Sequence, residues 1–290
     1  MPPLPTKFPK PIPLEVSVYG TENGIKAANF GAKRLLLNRK GSQAAGGLTP
    51  EVKELQDLKG KVHIPINCTI RPRGAPDKAY PGEDHDYIYS NNEFVQMCEA
   101  VHALKYAGVM NPIRGDSFVF GCVRRKHEAG SPEDHDRIVI DRAYCQYLVR
   151  LARPYGCTFN RAFDHFAANG EWPDIIAELK QLGFKGVMTA GGPGYFYPNV
   201  DTLSGMCHRL SDLQLVVAGG IFCREIQKLR KRVHDFNFHS IWMNGECLRP
   251  SDNEDPETTD VNGVMGLIDQ LGLETEDWMS PYDIGKQYYY

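Results

Sequence analysis

Short β-like runs alternate with helix-like stretches along the chain. The pattern of apolar and polar positions predicts strands over residues 14–19, 33–38, 63–71, 117–123, 157–161, 186–189, 213–218 and 236–243. Helix-like stretches follow the strands, among them 51–58, 92–107, 140–153, 172–182, 200–210 and 223–233, with Gly or Pro at most joints. Strands interleaved with helices imply a parallel sheet. Eight of them favour a closed (β/α)8 TIM-type barrel, an α/β fold, over a doubly wound open sheet. In that fold, function lies at the C-terminal ends of the strands.

The first thirteen residues carry six prolines and read as an extended arm, with the barrel over 14–249. Residues 250–290 read as an acidic loop and a tail, with a short helix over 263–273. Two connections, 72–91 after strand 3 and 124–137 after strand 4, are long for a compact domain and lie on the functional face.

Side chains alternate faces along a strand. Leu14, Val16 and Val18 oppose Glu15, Ser17 and Tyr19, and Ile64, Ile66, Cys68 and Ile70 oppose Asn67, Thr69 and Arg71. The apolar sets belong against the helices, so the polar sets face the lumen. Thr158 and Asn160 share a face, and His239 follows the same logic in strand 8. A buried Glu15 requires a cationic partner, Arg71 or another arginine.

Arg71, Arg73 and Arg161 sit at or just past strand ends, and guanidinium forks suit carboxylate or phosphate. Thr189-Ala190-Gly191-Gly192 follows strand 6, and Ala218-Gly219-Gly220 follows strand 7. Glycines there let backbone N–H groups approach an oxyanion. The expected site for a small anionic ligand is therefore Arg71, Arg73, Arg161, Thr189, Gly219, Gly220 and His239. Glu15 and Asp164 are the candidates for acid–base chemistry, and Asp164 has the alternative of capping the helix that follows.

Composition narrows the classes. Lys+Arg 33 against Asp+Glu 36 gives a net charge of −3, which does not suggest a nucleic-acid-binding protein. No apolar run approaches the length of a membrane span. Eight cysteines are too sparse for a disulfide scaffold, and none stands at zinc-finger spacing with a histidine or in a CxxC, so no metal site is read from spacing. The expectation is a reduced, cytoplasmic protein.

Several motifs occur in order: Leu14-Glu15-Val16, Gly46-Gly47-Leu48-Thr49-Pro50, Ile70-Arg71-Pro72-Arg73-Gly74, Thr158 to Asp164 (TFNRAFD), Ala218-Gly219-Gly220-Ile221 and Phe238-His239-Ser240. Together they resemble the CutC copper homeostasis family over about Leu14 to Met243. The resemblance implies a TIM-type barrel, a cytoplasmic setting, self-association as a homo-oligomer, and copper handling through Cu(I). The sequence departs from the family pattern where Ser17 replaces a cysteine, where Leu36 and Asn38 replace a glutamate and a cysteine, and where Asn160 replaces a histidine. Cys68, Cys122 and Cys157 read as small apolar core residues. Three functions follow as expectations: copper homeostasis of the CutC type, an enzyme acting on a phosphorylated or carboxylated small molecule, or a non-catalytic binding protein.

Overall fold

The computed structural model describes residues 11–76, 86–126, 137–207, 209–210, 212–221, 226, 229, 241–249 and 255–272. Eight parallel strands close into a barrel: β1 (Leu14–Tyr19), β2 (Arg34–Asn38), β3 (Ile66–Thr69), β4 (Ser117–Phe120), β7 (Gly156–Phe159), β8 (Gly186–Thr189), β9 (Gln214–Val217) and β10 (Ile241–Gly245). β1 pairs with both β2 and β10, which completes the ring. The fold class expected from the alternation is the one observed.

Helices α1 (Thr21–Asn29), α2 (Val52–Gln56), α3 (Asn91–Lys105), α4 (Arg142–Ala152), α5 (Phe163–Ala168), α6 (Trp172–Leu182), α7 (Val200–Cys207) and α8 (Val261–Gly272) belong to the outer layer. Local chemistry fixes their ends. The α3 start is a reciprocal cap, in which Ser90 Oγ accepts from the Glu93 N–H and the Glu93 carboxylate accepts from the Ser90 N–H at 2.7 Å. Asp141 caps α4 through the Tyr144 N–H, and Gly183 ends α6 in the left-handed conformation. Helix α8 returns to the barrel, where the Leu271 carbonyl accepts from the Ile12 N–H. The core fills the space between strands and helices and includes Leu35, Cys68, Phe118, Phe120 and Phe159, all essentially inaccessible to solvent.

Several boundaries differ from the sequence reading. Strand 4 stops at Phe120, and Val123 opens an antiparallel ribbon, β5 (Val123–Lys126) with β6 (Arg137–Ile140). The long connection after strand 4 is therefore framed by a hairpin, and Ile140 belongs to a strand rather than to the next helix. Strand 3 is shorter than expected and starts directly after Pro65, which has no N–H to give to a ladder. Of the stretch 223–233, only Ile226 and Leu229 fall within the described residues, and both are buried.

Candidate functional site

The lumen is layered. Closing eight tilted strands stacks inward-facing side chains in tiers supplied by alternate strands. The ladder registers put Glu15, Asn67, Thr158 and Val216 in one tier, with Arg34 and Trp242 in the tier beneath. Above Glu15 come Leu36, Val119 and Met188 with Asn244. These apolar groups, with Val216, Ala218 and Trp242, form a separate hydrophobic cluster inside the barrel. Ser17, Thr69 and Asn160 stand in the tier above that, and Asn38 above them.

Glu15 is completely buried. Its partner is Arg34 rather than Arg71. Asn67 and Asn244 each donate an amide hydrogen bond to Glu15 at 2.8 Å. Arg34 also reaches Gln214 at 2.9 Å and lies 3.9 Å over the Trp242 ring, while its buried Nη2 has no hydrogen-bond partner among the described residues. This ionic cluster sits on the closed side of the apolar tier, so Glu15 is remote from the mouth where acid–base work would occur. Sequence reasoning missed Arg34. The available signal was its phase, since Arg34 and Asn38 share a face opposite Leu35 and Leu37.

Arg71 and Arg73 hold loops. Arg71 Nη1 donates to the carbonyls of Ala45 and Gly47, and Nη2 to both oxygens of Asp86 at 2.8 and 2.9 Å. Among the described residues, its buried Nε has no hydrogen-bond partner. Arg73 bonds Glu93 and the carbonyls of Gly74, Asp86 and Ile88. Glu93 is held below the usual carboxylate range: burial alone would raise it, but hydrogen bonds from Ser90 and Arg73 prevail. Both guanidinium groups are therefore engaged within the protein, each beside its own carboxylate.

Arg161, Asp164, Thr189 and Gly219 come together at the ends of β7, β8 and β9. Asp164 accepts from the Thr189 hydroxyl at 2.5 Å and the Ala190 N–H at 2.9 Å, and its other oxygen accepts from Arg161 Nε at 2.8 Å. It lies within α5 and makes no helix cap; Ala162 holds the N-cap position. Burial raises its pKa, against the opposing pull of Arg161 and these hydrogen bonds. Arg161 Nη2 donates to the Gly194 carbonyl at 2.7 Å. Among the described residues, its Nη1 has no hydrogen-bond partner. Gly219 is left-handed at φ 90°, and a Cβ there would stand 2.8 Å from the Gly194 oxygen and 3.4 Å from Arg161 Nη2. Glycine is required by the left-handed turn and by its close approach to the Gly194 carbonyl. Gly220 follows, also left-handed at φ 68°. Tyr87 lies within electrostatic reach of both Arg71 and Arg161; burial pushes its phenol up to about 12. His239 lies outside the described residues.

The closed ring of eight parallel strands with interleaved helices places the chain in the (β/α)8 barrel class. The CutC family model matches residues 12–241, and the chain belongs to the CutC family. It is 32% identical over 187 residues to a copper homeostasis protein cutC homolog of Caenorhabditis elegans, covering 64% of this chain and 62% of that one. The chain thus spans somewhat less than two thirds of the worm protein. It is 29% identical over 230 residues to the human copper homeostasis protein cutC homolog, covering 78% of this chain and 71% of that one. The crystal structure of CutC from Streptococcus agalactiae shares the fold, with a TM-score of 0.62 at 18% identity, over 81% of this chain and 98% of that one.

The side chains at the expected copper positions do not suit Cu(I), which prefers thiolate and thioether ligands. Ser17 Oγ donates to Asn244 at 3.0 Å, and the Asn38 amide accepts from Thr69 and donates to the Val18 and Leu36 carbonyls. Cys68, Cys122 and Cys157 pack in the apolar core, where burial raises each thiol pKa and keeps the sulfur protonated. Among the described residues, no three His, Cys, Asp or Glu side chains are grouped to share a metal. Among the same residues, no helix is long and apolar enough to cross a membrane.

Proposed function

We propose that this CutC-family barrel binds a small anion, phosphate or carboxylate, at its mouth beside Arg161 and the Gly219–Gly220 turn. The observation that carries this reading is the orientation of Arg161. Asp164 and the Gly194 carbonyl hold Nε and Nη2, and Nη1 is left over at the mouth. A side chain already fixed in this way loses little further freedom when it binds. The charge of Asp164 is shared among Arg161, Thr189 and Ala190, which leaves the guanidinium a stronger donor than an isolated ion pair would. Left-handed glycines alongside keep the approach free of side chains.

On this reading Asp164 is a positioning residue, and the copper homeostasis named in the relatives is the physiological setting of an anion-binding barrel. Ser17 and Asn38 offer a hydroxyl and an amide in place of the thiolates that Cu(I) prefers. The cytoplasmic location and self-association implied by the family pattern belong to the same reading.

Calorimetric titration with inorganic phosphate and sulfate tests it. Saturable binding is expected, weakened about tenfold to a hundredfold in Arg161→Ala by loss of a charge-assisted hydrogen bond. Absence of binding to the wild type, or equal binding by Arg161→Ala, would overturn it.

A further inference from the structure

Directly above the apolar floor, the lumen carries uncharged hydrogen-bonding groups, with Tyr19 and Arg71 higher on the same faces. Ser17, Thr69 and Asn160 form one tier and Asn38 stands over it, each at least nine-tenths buried. Asn160 is the informative member. Its Oδ1 accepts from the Ala162 N–H at 3.1 Å, which settles the orientation of the amide. The Oδ1 also packs over Gly121 of the neighbouring strand end, where a Cβ would come within 2.3 Å, so the amide lies against that strand end. Among the described residues, Nδ2 makes no hydrogen bond. Nδ2 is not sealed off from solvent, so its two N–H groups are open to an acceptor that enters the lumen. Ser17 Oγ and Thr69 Oγ1 each donate once within the protein and keep acceptor capacity.

Asn160 and Arg161 are consecutive, with Cα atoms about 3.8 Å apart. A donor for a neutral oxygen thus stands next to a donor for an anion. Leu36, Val119, Met188 and Val216 close the space below. The interior of an eight-stranded barrel is only wide enough for side chains or one small ligand. Resting on the anion-binding reading above, we infer that the ligand is a short hydroxylated anion, a polyol phosphate or a hydroxy acid. Its charged end lies on Arg161 and its hydroxyl groups meet Asn160, Thr69 and Ser17. Hydroxyls suit this tier because each can accept from Asn160 Nδ2 and donate to Ser17 or Thr69. An alkyl chain would leave those groups desolvated and unpaired.

Paired ligands that differ only in hydroxyls test the assignment by calorimetry on the full chain. Glycerol phosphate is compared with propyl phosphate, and glycerate with propionate as the carboxylate arm. The hydroxylated member of at least one pair is expected to bind about tenfold or more tightly, as one or two hydrogen bonds allow. That ratio should collapse toward one in Asn160→Leu, which removes the Nδ2 donor without placing a charge beside Arg161, and should shrink in Thr69→Val. Equal affinities within both pairs, with inorganic phosphate still bound, would overturn this inference alone. Failure of inorganic phosphate to bind would overturn the anion-binding reading beneath it as well. A ratio preserved in both variants would overturn the assignment of the hydroxyls to Asn160 and Thr69.

Discussion

The Glu15 carboxylate and the Arg34 guanidinium face each other from the start of β1 and β2, sealed beneath Leu36, Val119 and Met188. Removing one partner from a buried pair leaves an uncompensated charge and costs about 3–5 kcal/mol, whereas replacing both with apolar groups is far milder. Glu15→Gln and Arg34→Met are each expected to lower the denaturation midpoint strongly, and Glu15→Leu with Arg34→Met to recover most of the loss. Urea unfolding checks this. Single variants as stable as the wild type would show the pair to be dispensable.

Asp164 sets the direction of Arg161, so its isostere should affect anion binding more than folding. Asp164→Asn keeps an acceptor for Thr189 and Ala190 and presents an N–H to Arg161 Nε in place of an oxygen. Phosphate affinity should fall about tenfold. Because burial disfavours the charged aspartate, removing that charge should offset much of the lost ion pair in thermal stability. Unchanged affinity would rule out a positioning role.

Copper provides a gain-of-function test. In competition with a Cu(I) chelator, the wild type should take up no tightly held copper at the barrel mouth. Ser17→Cys with Asn38→Cys should introduce a site, since the two positions face the lumen on adjacent strands. Tight uptake by the wild type that disappears in Ser17→Ala would contradict the donor argument.

Alkaline pH should destabilise the protein through Tyr87. An unfolded phenol titrates near pH 10 and the folded one at about 12, so the raised value favours the folded state while the group is protonated. That contribution is complete below about pH 10 and is lost as pH rises toward 12. Tyr87→Phe should flatten the decline in stability across this window. Parallel pH profiles for the two proteins would assign the decline to other groups.

The sequence made parts of this site legible and hid others, for identifiable reasons. Asn67, Thr69, Thr158 and Asn160 were readable because their strands alternate cleanly between apolar and polar residues. β2 concealed Arg34 because Leu36 is apolar on the lumen side while Leu35 and Leu37 are apolar on the helix side, which erases the alternation. The closing hairpin was hidden because Val123 continues the apolar run of β4 and the charged residues after it resemble a loop. The three arginines were placed correctly at strand ends. Their partners could not be read, since Asp86 lies fifteen positions from Arg71 and Glu93 twenty from Arg73. Asp164 is three positions from Arg161, a spacing equally compatible with a cap, and only the fold brings Thr189 against it.

The apolar tier of Leu36, Val119, Met188 and Val216 makes the lumen a cul-de-sac. On the anion-binding proposal, a molecule that enters has no exit on the far side, so arrival and departure use one doorway and a resident blocks its successor. Competing anions should therefore displace one another in strict one-for-one fashion, and never occupy the barrel in tandem.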